Sequence, residues 1–167
     1  MIFFLPSITD ALPNLSVTMR TFVTMLPYVC GFFGILLNGH LANRAADRRW
    51  FVAVPIFLTA LALASAVCAT GHTALVVACF CVAGFAAQAY LPAFWTLPSS
   101  LLTKSGAAVA IGLINSVGNL AGFVSPSIIG WMKDVTQSTD AGMYVVSAAL
   151  IVGALLALLQ PRSLVNR

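Results

Sequence analysis

Two asparagines, Asn115 and Asn119, stand four residues apart. On a helix that spacing puts both amides on one face. A short way upstream Gln88, Pro92, Trp95, Thr96 and Ser99 also fall on one helical stripe. Amides and hydroxyls can donate hydrogen bonds to a carboxylate or a hydroxyl, so these two stripes suit the lining of a polar site. Tyr28, beside Pro27 and Gly31, is a further aromatic candidate. The same amides could instead bond neighbouring helices and fix their packing, and Gly118 and Gly122 form a small-xxx-small pair that favours close helix approach.

Little else in the chain carries chemistry. No Ser/His/Asp set, metal cluster or phosphate loop points to an enzyme. Cys30, Cys68, Cys79 and Cys81 all lie in apolar stretches. There free Cys acts as a small hydrophobe, and no second pair or histidine cluster completes a metal site around Cys79 and Cys81. His40 reads as a residue near a helix end and His72 as a loop residue, neither with a carboxylate partner in view. The sequence gives no reason to expect a cofactor. It has no basic run interleaved with aromatics, and hence no nucleic-acid signature.

The charged chemistry gathers in one segment: Gly39, His40, Leu41, Ala42, Asn43, Arg44, Ala45, Ala46, Asp47, Arg48, Arg49, Trp50. A helix ends here, a tight turn follows and a new helix starts at once. Arg44, Arg48 and Arg49 can bond the exposed carbonyls of neighbouring helix ends and reach anionic lipid head groups. Read alone, they could equally be no more than cytoplasmic anchors.

The elements that must position these residues are membrane helices. The 167-residue chain is 60% hydrophobic and 7% charged, against about 25% charged in soluble domains. Five stretches are long enough to cross a bilayer, which needs about 20 apolar residues: 21–41, 51–69, 74–97, 107–131 and 141–159. None contains an internal Asp, Glu, Lys or Arg. Runs of this length exclude a barrel, whose strands alternate over about ten residues. Turn chemistry or charge separates them at 43–49, 70–72, 98–105 and 133–140. The apolar segment 1–14 is broken by Pro6, Asp10 and Pro13 and lacks a basic start. It reads as a helix end or an interfacial piece and not as a signal peptide.

With alternating spans, Arg44, Arg48, Arg49, Lys104, Arg162 and Arg167 share one side, and Arg20 and Lys133 the other. The positive side is cytoplasmic, so the N-terminus is expected outside and the C-terminus inside, as in a chain cut from a longer one.

The basic segment is similar to the cytoplasmic loop signature of the major facilitator superfamily, roughly G-x-x-x-D-R-x-x-x-R-R. Gly39, Arg44, Arg48 and Arg49 fit it; its acidic position is here Asn43, and Asp47 stands at a variable one. A second segment runs from Tyr90 through Pro92, Trp95 and Pro98 to Gly112, Asn115, Gly118, Asn119, Gly122, Pro126 and Ile129–Asp134. It resembles helices ten and eleven of the anion:cation symporter branch of that superfamily. The resemblance implies an all-α, multi-pass bundle equivalent to the end of helix seven through helix twelve, a single C-terminal half-domain over 1–167. It further implies a bacterial inner-membrane protein that takes part in proton-coupled symport of a small organic anion such as a carboxylate or sugar acid. A separate N-terminal half would supply the remainder. It places the segments that carry Gln88, Trp95, Thr96, Asn115 and Asn119 along the central cavity, toward the substrate, and Tyr28 of the first span is a further candidate. A small multi-pass interaction or regulatory protein is the alternative.

Overall fold

The computed structural model describes residues 16–69, 71–101, 104–136 and 140–161. The segment 1–14, Arg162 and Arg167 lie outside the described residues, as does the side chain of Ser99. Five helices form the described chain: α1 (Val17–Ala42), α2 (Arg48–Cys68), α3 (Thr73–Leu101), α4 (Lys104–Thr136) and α5 (Asp140–Leu159). All five are long and apolar enough to cross a membrane. The expected all-α, multi-pass architecture is therefore present, span for span.

Local chemistry sets the starts of the first two helices. The Ser16 side chain caps α1 by accepting from the Met19 N–H at 3.3 Å. Asp47 caps α2 by accepting from the Arg49 N–H at 3.2 Å, which satisfies one of the orphan donors of the first turn. Between α2 and α3, Gly71 takes a positive φ of 101°, a conformation that glycine adopts without steric cost. The helices overrun the expected spans where the breaks were drawn too wide. α3 continues through Pro98 to Leu101, and α4 continues past Lys133 to Thr136. A proline inside a helix frees only the carbonyl one turn earlier and need not end it.

The helices do not share burial evenly. α3 packs along α1 and α2, and α2 packs against α5, whereas α4 touches α3 and α5 only sparsely. Ala62, Leu63 and Ala66 of α2, Phe80 and Ala83 of α3 and Met143 of α5 form one buried cluster. A smaller one joins Ala42, Val52 and Ala93.

The tightest contact is the crossing of α1 and α3. A Cβ at Gly31 would lie 2.7 Å from Gln88 Cγ, and one at Gly34 or Gly84 would run into the backbone carbonyl of Phe85 or Pro27. Here glycine is what allows backbone to touch backbone, the small-residue packing that replaces the hydrophobic effect between helices in lipid.

Candidate functional site: the Arg49 clamp and the polar stripes

The basic loop is built around the ion pair of Asp47 and Arg49. Because Asp47 caps α2, its carboxylate is held at the first turn, within reach of the side chain two residues on. Arg49 Nε donates to Asp47 Oδ1 at 3.0 Å, and Nη2 donates to Oδ2 at 2.8 Å. This is the bidentate fork that a planar guanidinium makes with a carboxylate. Nη1 turns the other way and donates to the Leu158 carbonyl at 3.0 Å and the Gln160 carbonyl at 2.5 Å. One side chain thus joins the start of α2 to the end of α5, where the last carbonyls have no intrahelical donor. The pair is largely shielded, with side-chain exposures of 10% and 18%.

The sequence expectation that this loop bonds neighbouring helix ends is met at Arg49. Arg44 is exposed and Arg48 half-buried. Asn43, at the acidic position of the loop signature, closes α1 through its backbone N–H, which donates to the Gly39 carbonyl at 3.3 Å. The charge that Asn43 lacks is carried by Asp47.

Gly39 faces α3, where an added Cβ would meet Pro92 at 3.4 Å. Beside it Asn38 is buried, and its Nδ2 donates to the Phe51 carbonyl at 2.9 Å and the Ala89 carbonyl at 2.5 Å. The first of these has a plain cause. The Phe51 carbonyl would normally accept from residue 55, and Pro55 has no N–H to give. The Asn38 amide fills that vacancy from a neighbouring helix. Sequence reasoning missed Asn38. Its signal was the stripe Gly31, Gly34, Asn38 at helical spacing, ahead of a proline-bearing helix.

The polar stripes divide between different surroundings. Gln88 is half-buried at the α1 crossing, against Gly31, and Pro92 lies against Gly39. The Thr96 hydroxyl donates to the Ala93 carbonyl of its own helix at 2.7 Å. Trp95 is half-buried, edge-on to Phe94 with ring centroids 5.2 Å apart. Tyr28 is exposed on α1. Asn115 and Asn119 are exposed on α4, as are Gly112, Gly118 and Gly122, and an added Cβ at these glycines would meet nothing within 4 Å. The described chain therefore does not gather Gln88, Thr96, Asn115 and Asn119 around one pocket. Among the described residues no group of three or more His, Cys, Asp or Glu could hold a metal ion.

Five lipid-length helices, joined at one end by a charged clamp and carrying proline-bearing and polar faces, define a multi-pass membrane protein. The family model described as Major Facilitator Superfamily matches residues 1–166, and the chain belongs to that superfamily. It is 33% identical over 145 residues to the putative metabolite transport protein NicT of Pseudomonas putida, covering 87% of this chain and 33% of that protein. It is 34% identical over 142 residues to a putative tartrate transporter of Agrobacterium vitis, covering 85% of this chain and 31% of the relative. It is 38% identical over 143 residues to a quinolone resistance transporter of Acinetobacter baumannii, covering 81% and 31%. The chain spans about a third of the length of these relatives. The relatives are named as transporters, not enzymes. No solved structure matches the chain.

Proposed function

We propose that this chain acts as the C-terminal half-domain of a complete transporter for a small organic anion, a carboxylate or sugar acid, moved by proton-coupled symport across a bacterial inner membrane. The observation that carries this reading is α4, a membrane-length helix that presents exposed Asn115 and Asn119 on a side that none of the described residues covers. Unsatisfied amides are costly against lipid. They become useful if that side borders a water-filled cavity shared with a separate N-terminal half, as in alternating access around a midplane site. Gln88, Thr96, Trp95 and Tyr28 are the further candidates for contact with substrate. The described spans hold no acid well inside the hydrocarbon, so proton exchange and the main charge attraction belong to the partner half. Tartrate, galactarate/D-glucarate and D-galactonate in the names of relatives favour a hydroxylated acid as substrate.

The test joins this chain to a matching N-terminal half and replaces Asn119 by Ala. The expected result is a rise of about tenfold in the substrate KM, since losing one hydrogen bond to a charged group costs roughly 1.5–3 kcal/mol, with normal membrane expression. Unchanged uptake, or loss of folded protein, makes Asn119 a packing residue and defeats the assignment.

The orientation follows the basic residues, with the Arg49 end cytoplasmic. Cysteines introduced at Thr73 and Lys104 are expected to label from opposite sides of the membrane, Thr73 from outside. Labelling of both from one side overturns this topology.

A further inference from the structure

The α1–α3 crossing carries a feature that a transport site does not use. Cys30 of α1 and Cys81 of α3 come together beside it. Both line an open groove of about 320 Å³, whose other walls are Phe33, Val82 and Phe85. Every lining group is apolar apart from the two sulfurs, and Phe33 and Val82 are 57% and 43% exposed on the outer surface of the described bundle.

The pairing has a structural cause. A disulfide needs Cα atoms about 4.4–6.8 Å apart, closer than side-by-side helices ordinarily come. Gly31, Gly34 and Gly84 remove the side chains that would hold α1 and α3 apart, and the two cysteines flank those glycines in sequence. The other cysteines are differently placed. Cys79, two residues from Cys81 and so on roughly the opposite side of α3, packs against the buried Phe80 cluster. Cys68 lies 3.8 Å from the Tyr144 hydroxyl.

We propose that Cys30 and Cys81 are an oxidisable thiol pair, converted by a lipid-soluble quinone to a disulfide that staples α1 to α3. The groove selects the oxidant, because an apolar mouth on a membrane-spanning surface admits a co-reactant dissolved in the hydrocarbon in preference to a charged aqueous one. The step balances. Both S–H bonds break, one S–S bond forms, and two electrons and two protons pass to the quinone, which leaves as hydroquinone. Oxidation locks a crossing that glycine packing and the Asn38 bond to the Ala89 carbonyl otherwise hold, and reduction removes the lock. This inference stands apart from the transport reading, since it needs neither substrate nor the other half.

The experiment uses the full chain in liposomes with duroquinone, whose ring is fully substituted and cannot be added to by a thiol. The protein is then denatured and alkylated, and the modified cysteines are counted by mass spectrometry. Of the four thiols in the chain, two are expected to be lost to alkylation, with peptides around Cys30 and Cys81 cross-linked and separated again by dithiothreitol. In Cys30→Ser, Cys30→Ala and Cys81→Ser every remaining thiol is expected to stay alkylatable, whereas Cys79→Ser still loses two. The oxidised chain is expected to melt at a higher temperature than the reduced one. Four alkylatable thiols after treatment, or a cross-link through Cys79, overturns the pair. A bond formed by copper–phenanthroline and not by duroquinone overturns the quinone as its oxidant.

Discussion

α1 and α4 are both membrane-length helices marked by repeated glycine, yet they meet opposite fates. At the α1–α3 crossing every gap left by Gly31, Gly34 and Gly84 is filled by a neighbour, and Phe80 and Ala83 further along α3 are fully buried. On α4, Gly112, Gly118 and Gly122 face open space, and Phe123 is 76% exposed. A glycine repeat therefore says that a helix is ready for close approach, and does not say whether the partner lies within the same chain. The polar residues follow the same division. Asn38 is buried and doubly bonded, while Asn115 and Asn119 stand exposed.

The comparison can be broken most sharply at Gly84. Gly84→Val drives a branched side chain into the Pro27 carbonyl, and backbone cannot yield as a flexible side chain can. Overpacking of this kind costs about 1–3 kcal/mol and sometimes more, so the variant is expected to lose most of its folded fraction in detergent, read by thermal melting. A Gly84→Val protein that melts like the parent would mean that the crossing is looser than described.

Asn38→Leu keeps the branching and heavy-atom count of the side chain and removes both amide bonds, leaving the Phe51 carbonyl that Pro55 cannot serve without a donor. The expected loss is about 1–3 kcal/mol. Restoring a helical donor with Pro55→Ala in the same chain is expected to recover part of it, and a double variant no better than Asn38→Leu would detach the amide from the proline.

The smallest effect is expected on the bare side. In this chain alone Gly118→Ala and Gly122→Ala should leave stability unchanged or raise it by up to about 1 kcal/mol, because alanine is the better helix former. Joined to a matching N-terminal half, the same changes are expected to weaken assembly or uptake. Destabilisation of the isolated chain by either would show that α4 is packed after all.

Much of this arrangement was legible in the sequence, because lipid allows so few backbone solutions. A charge-free run of twenty or so residues can only be a helix, and all five were found within a few residues of their ends. The loop between α1 and α2 was legible as a place where arginine meets helix ends, since its three arginines had few other partners. What remained hidden depends on which face of one helix meets which face of another. The stripe of Gln88 and Pro92 turns toward α1, at Gly31 and Gly39, and α4 receives little of α3. Spacing along one helix fixes a face but not its neighbour. Asn38 escaped notice for the same reason, since its partners lie 13 and 51 residues away. Asp47 was named in the loop, but as standing at a variable position of its signature, so its fork with Arg49 stayed hidden.

The Arg49 clamp also bears on how the chain is made. Its bonds to Leu158 and Gln160 span 109 and 111 residues, so they wait until α5 has left the ribosome. The fork to Asp47, only two residues away, needs no such delay. During insertion the guanidinium can therefore be neutralised locally, beside the membrane surface, and its third nitrogen stays in reserve for α5. Assembly then has an order: the local fork forms first, and when α5 arrives its carbonyls take the waiting donor and tie it to the start of α2.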